Sequence, residues 1–244
     1  MNKFILFLLL ALSLSACTTI PADSSLFKIK YKELMKNAGA EAAAVDIEQF
    51  KELRDMASTD KEQMQAELAL AYAYYKDQQF DSSLRQIESF IRNYPAYPHL
   101  DYVLYLRALV TKAQGKLEFT RAVSNISANV SYPESLRLAY AYFADLITRY
   151  PKSEYSAQAR NFMKNVRTNL AAYELFVARY DLVKGRYEEV IRRTEYIVEF
   201  YNGTPVVNDA YELQARAYRE QGKLKKAEEV ESRRKQAERS SASN

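Results

Sequence analysis

Cysteine and histidine occur once each in this 244-residue chain, tryptophan never, glycine five times and proline six. A single cysteine excludes an internal disulfide, so packing alone must hold the core. One histidine and one cysteine cannot supply a His/Cys zinc cluster. The scarce glycines form no phosphate-binding loop, and with so few prolines there is little to break a helix. No long stretch of one charge sign is present. The net charge of +4 is modest and mixed along the chain, which argues against nucleic acid as a partner. What is abundant is alanine, leucine, glutamate, lysine, arginine and glutamine, a helix-forming set, and 20 tyrosines.

Residues 1–16 read as a signal peptide. Lys3 gives the positive charge, Phe4 to Leu14 the apolar core, and Ser15 and Ala16 the small residues before cleavage. The apolar run is about ten residues, against the roughly 20 that span a bilayer. Leu14-Ser15-Ala16-Cys17 resembles a bacterial lipobox. That resemblance implies diacylglycerol on the Cys17 sulfur and an acyl chain on its new amino terminus, with no other cofactor. Thr18, where aspartate often marks retention in the inner membrane, implies a lipid-anchored protein on the periplasmic face of the outer membrane. Residues 17–25 read as a lipidated tether.

Beyond the tether, helical periodicity runs almost to the end, and no strand alternation interrupts it. The recurring signal is a pair of helices with small residues where they touch, aromatics one turn away and a closing proline, which is the tetratricopeptide pattern. Asp60 to Pro95 is the clearest unit, with Ala71 and Tyr74 on its first helix and Ser83, Ile87 and Phe90 on its second. Ala108 and Gly115, then Ala139, Phe143 and Pro151, mark the next; its late second helix predicts an exposed insertion near 116–135. Ala178 and Gly185 begin a fourth unit, and Tyr211, Ala215, Gly222 and Ala227 a fifth; Gly115, Gly185 and Gly222 read as repeat turns. The expected fold is all-α, a tetratricopeptide-repeat solenoid of about five helix pairs with an insertion in the third. Repeats 1–3 occupy 26–151 and repeats 4 and 5 occupy 152–238, with 239–244 a disordered tail.

No catalytic constellation is visible. His99 follows Pro98 in a turn, and Glu188/Arg192 and Glu189/Arg193 have the i,i+4 spacing of solvated salt links. The chain reads as a binding scaffold and not an enzyme. Tyrosine suits interfaces, since it joins a flat apolar ring to one hydroxyl. Tyr74 and Tyr218 hold the repeat's packing position, whereas Tyr72, Tyr75 and Tyr97 suit packing and a peptide-binding groove equally well.

Tyr97-Pro-His-Leu-Asp-Tyr-Val-Leu-Tyr-Leu-Arg-Ala-Leu109, Leu70 to Lys76, Phe143 to Tyr155 and the Lys184-Gly-Arg-Tyr187 turn together resemble one family over nearly the whole chain. It is the BamD family, repeat lipoproteins of the outer-membrane β-barrel assembly machine. The resemblance implies that the carboxy-terminal repeats bind a POTRA domain of the barrel-forming subunit. It also implies that the amino-terminal repeats receive unfolded outer-membrane proteins and that accessory lipoproteins bind elsewhere. An arginine eight residues after the fourth-repeat glycine makes the POTRA contact in the family. Arg193 holds that place, with Arg192 beside it and Tyr180 before the turn. If Arg193 were not an interface residue, it would be a surface partner of Glu189. Adaptors of murein hydrolases and secretin pilotins also pair a lipobox with repeats, but lack the Pro98–Leu109 segment.

Overall fold

A computed structural model describes residues 22–40, 44–124 and 133–242. The leader, Cys17 and residues 125–132 of the expected insertion lie outside the described residues. Ten helices are present among those described, with no strand. They follow the repeat pairing: α1 (Ala22–Gly39) with α2 (Ile47–Asp55), α3 (Asp60–Lys76) with α4 (Phe80–Asn93), and α5 (Leu100–Ser124) with α6 (Glu134–Arg149). The series continues with α7 (Ser156–Val183) against α8 (Tyr187–Phe200), and α9 (Val206–Glu220) against α10 (Leu224–Ala242). Each helix packs on the next, and the first helices of successive repeats also touch: α1 with α3, α3 with α5, α5 with α7, and α7 with α9. The fold is a tetratricopeptide-repeat solenoid, with its odd-numbered helices side by side along one face. No described helix is long and apolar enough to cross a membrane.

Local chemistry sets the helix ends. Asp46 caps α2 by accepting from the Glu48 N–H at 3.0 Å, and the Thr59 hydroxyl caps α3 by accepting from the Glu62 N–H at 3.2 Å. The Glu62 carboxylate turns back to accept from both the N–H and the hydroxyl of Ser58, a relative of the capping box. These bonds hold its pKa below the ordinary glutamate value. Small residues mark the helix crossings. Ala71 and Ser83 are both buried, and the Ser83 hydroxyl donates to the Ala71 carbonyl at 2.7 Å. Ala108 and Ala139 are buried in one cluster of the third repeat, with Leu104, Phe143 and Leu146.

Three of the intra-repeat turns share one set of hydrogen bonds. Gln79 N–H donates to the Tyr74 carbonyl, Arg186 to that of Asp181 and Lys223 to that of Tyr218, the long bond of a Schellman motif. The residue in left-handed conformation is Gly185 (φ 69°) and Gly222 (φ 73°) in two of them, but Gln78 (φ 59°) in the second repeat. A side chain there costs roughly 1 kcal/mol or more. Gln78→Gly is therefore expected to raise stability by about 1 kcal/mol, read as a higher midpoint in urea unfolding.

Four sequence expectations need correction. α1 begins at Ala22, so the helix starts inside the segment read as a tether. The insertion is not a loop from residue 116, because α5 continues through Ser124. Its extra turns pack back on the stack: Phe119 lies edge-on to Tyr173 at 6.5 Å, and Glu118 accepts from the Ser135 hydroxyl at 2.6 Å. Gly115 is not at a turn but within α5, pressed against the start of α6. The tail read as disordered is helical as far as Ala242.

Candidate functional site

A cavity of about 330 Å3 opens on the face formed by the first helices of repeats 1–3. Four tyrosines from four segments converge on it: Tyr31 of α1, Tyr97 from the turn before α5, Tyr102 of α5 and Tyr155 from the turn before α7. Met35, Leu68 and Ala69 form its apolar floor, and Asp101 and Glu154 stand at its polar side. The repeat architecture explains the convergence. Each inter-repeat turn delivers one ring to the end of the next first helix, and the helices of neighbouring repeats lie close enough for those rings to meet.

Burial raises the pKa of all four hydroxyls above that of free tyrosine, most strongly for Tyr102. They therefore remain protonated, each able to donate one hydrogen bond. Rings behind the cavity hold its walls. Phe27 stacks on Tyr31 at 6.1 Å, Phe90 meets Tyr97 edge-on at 5.1 Å, and Tyr105 stacks on Tyr155 at 4.8 Å.

Of the three tyrosines assigned to a groove from sequence, the structure brings only Tyr97 to this cavity. Tyr72 and Tyr75 lie 6.2 Å apart ring to ring and pack against the apolar core of repeats 2 and 3, Tyr75 against Phe80, while Tyr72 also borders the core of repeats 1 and 2. Tyr31, Tyr102 and Tyr155 were missed as site residues. Only the crowding of tyrosines near residue 100 gave a signal for Tyr102, and nothing local links Tyr31 to Tyr155.

The second region is on α7 and α8. Arg193 does not pair with Glu189. Its Nη1 donates to Glu174 at 2.7 Å and its Nε to Asp181 at 3.2 Å, both on α7. The two carboxylates are 8% and 6% exposed and Arg193 25%. Arg186 completes the group, bridging to Asp181 at 2.6 Å and lying 5.3 Å over the Tyr180 ring. Tyr180 and Arg193 are thus joined through Asp181 and Arg186. Arg192 is exposed and pairs with Glu189 one turn earlier. Glu188 instead reaches the next repeat, at Lys223 (3.2 Å) and Gln221 (2.9 Å). The i,i+4 pairs expected on α8 therefore do not form. Arg193 finds its carboxylates on the facing helix, Glu188 its partners one repeat away, and Arg192 keeps Glu189 at i,i+3 spacing.

Among the described residues no group of three or more His, Cys, Asp or Glu is placed to hold a metal ion. The two regions present rings, hydroxyls and fixed charges, the chemistry of protein recognition.

The YfiO family, described as an outer membrane lipoprotein, matches residues 21–233. The chain belongs to this family. Among curated relatives, the outer membrane protein assembly factor BamD of Neisseria meningitidis serogroup A is 32% identical over 232 residues, covering 91% of this chain and 86% of that one. The protein of the same name from Neisseria gonorrhoeae is 32% identical over 228 residues, covering 90% of this chain and 85% of that one. That of Vibrio cholerae is 34% identical over 158 residues, 65% of each chain. The YfiO match runs from α1 into the first half of α10, so the tyrosine-lined cavity and the Arg193 cluster both lie inside the family region.

Proposed function

We propose that this protein is a non-catalytic scaffold of outer-membrane β-barrel assembly, anchored through Cys17 lipid to the periplasmic face of the outer membrane. Its amino-terminal repeats take unfolded outer-membrane proteins at the tyrosine-lined cavity. Its carboxy-terminal repeats hold a POTRA domain of the barrel-forming subunit near Tyr180, Arg192 and Arg193, and accessory lipoproteins bind elsewhere on the stack. The observation that carries this reading is the cavity across repeats 1–3. An extended chain leaves alternate side chains pointing one way, and a hollow walled by tyrosine rings and their protonated hydroxyls suits an aromatic side chain and the adjacent backbone carbonyls. The names of the relatives support the assembly role. The anchor contributes by mass action: confined to the membrane surface, the scaffold meets a membrane-embedded partner at high effective concentration.

Photoreactive residues placed at Tyr31 and Tyr97 test the substrate half. Newly secreted barrel precursors are expected to label both positions, and labelling of neither removes the cavity from the function. Pull-down of the native protein tests the assembly half. Barrel-assembly subunits are the expected partners, and recovery of murein hydrolases or a secretin in their place overturns it.

A further inference from the structure

We propose that the tyrosine-lined cavity is a cage for a cationic side chain, so that the segment it selects carries a lysine or arginine beside an aromatic residue. The inference rests on the peptide-binding reading above and specifies the chemistry of the peptide. Its first ground is charge. Asp101 and Glu154 are the carboxylates lining the cavity, and no described lysine or arginine lines it. An acidic side chain entering there meets two like charges, whereas a cation meets two complementary ones.

The second ground is the rings. Tyrosine faces carry negative quadrupole charge and attract a cation within about 6 Å of the centroid. Tyr31, Tyr97, Tyr102 and Tyr155 surround one hollow, and each hydroxyl stays neutral because burial opposes its ionisation. At about 330 Å3 the space is at the small end of ligand sites, suited to one or two side chains and not to a folded element.

The third ground is pre-organisation. Asp101 is fixed at both oxygens: Oδ1 accepts from the Tyr102 N–H at 2.9 Å and Oδ2 from the Ser153 hydroxyl at 2.6 Å. The rings are fixed from behind by Phe27, Phe90 and Tyr105. Little ordering remains for a ligand to impose, so weak cation–ring contacts register as affinity. His99 also lines the cavity, its ring at a steep angle to Tyr97 with centroids 5.8 Å apart.

The probes are four amidated peptides, acetyl-Gly-Tyr-Thr-Xaa-Thr-Tyr-Gly, with lysine, arginine, norleucine or glutamate at Xaa. Binding to the full-length lipidated protein in detergent is read by calorimetry. Lysine and arginine peptides are expected to bind alike, norleucine about tenfold more weakly and glutamate more weakly still. The double variant Asp101→Asn, Glu154→Gln keeps the acceptor for Tyr102 and is expected to reduce the lysine–norleucine difference to about twofold or less; Tyr97→Leu is expected to reduce it in part. Equal binding of lysine and norleucine peptides overturns the cage yet leaves the aromatic-peptide reading standing. A lysine preference that persists undiminished in both variants also overturns it. Failure of all four peptides, together with no labelling at Tyr97, overturns cage and peptide reading alike.

Discussion

Gly115→Ala is expected to destabilise the protein by about 3 kcal/mol, although alanine is the better helix former by about 1 kcal/mol. A Cβ at this position would lie 2.6 Å from the backbone nitrogen of Leu136 and 2.8 Å and 2.9 Å from its Cγ and Cδ2. The nearest of these atoms is main chain, so a rotamer change cannot relieve the overlap. Leu136 itself is fully buried, and its N–H donates to the Pro133 carbonyl at 3.0 Å, fixing the start of α6. Separating α5 from α6 would also stretch the bonds from Ser135 to Glu118. Urea unfolding should show a lower midpoint, and Gly115→Val a larger loss. Gly39→Ala is the control: nothing lies within 4 Å of a Cβ there, so its effect should stay within about 1 kcal/mol.

The Gly115 contact shows where reading the sequence stops. Helical periodicity and small residues such as Ala71, Ser83, Ala108 and Ala139 are local signals, and they placed most of the helices and their crossings. A glycine before a stretch rich in serine and asparagine looks like a turn, because turns are where glycine is most often needed. What makes Gly115 necessary is a neighbour 21 residues away at the far side of an insertion, Leu136, and no window of sequence contains that fact. The second-repeat turn is the converse case. Gln78 carries no glycine signal, yet the Schellman bonds around it match those at Gly185 and Gly222.

The cavity was legible to the same degree. Tyrosine clustering pointed to the amino-terminal repeats and to Tyr97. Which rings face outward depends on each helix's rotation about its axis relative to its neighbours. Tyr72 and Tyr75 lie three apart on α3 and so share one helix face, which the structure turns into the stack, Tyr75 towards α4 and α5 and Tyr72 also towards the core that α3 forms with α1 and α2. Tyr31 and Tyr155 come from segments far apart in the chain, and only the stacking of α1 on α3 and of α3 on α5 brings them together.

Arg193 carries the second large effect, and its surroundings change how the proposed partner contact must be tested. Arg193→Leu is expected to cost about 3 kcal/mol of stability, because it strips a cation from two carboxylates that are almost wholly buried. The loss falls mainly on Glu174, since Arg186 still pairs with Asp181. Arg193→Glu would place a third carboxylate in the cluster and should unfold more readily still. Weak POTRA binding by either variant therefore does not separate a lost contact from a loosened α7–α8 pair. Neutralising both sides does. Arg193→Leu combined with Glu174→Gln leaves no unpaired buried charge at Glu174 and is expected to recover at least half of the lost stability. If Arg193 itself touches the partner, this compensated variant should melt near the parent yet bind the POTRA domain at least tenfold more weakly in a purified two-component assay. If affinity returns with stability, Arg193 positions the α8 surface and the contact belongs to its exposed neighbours, Arg192 first among them.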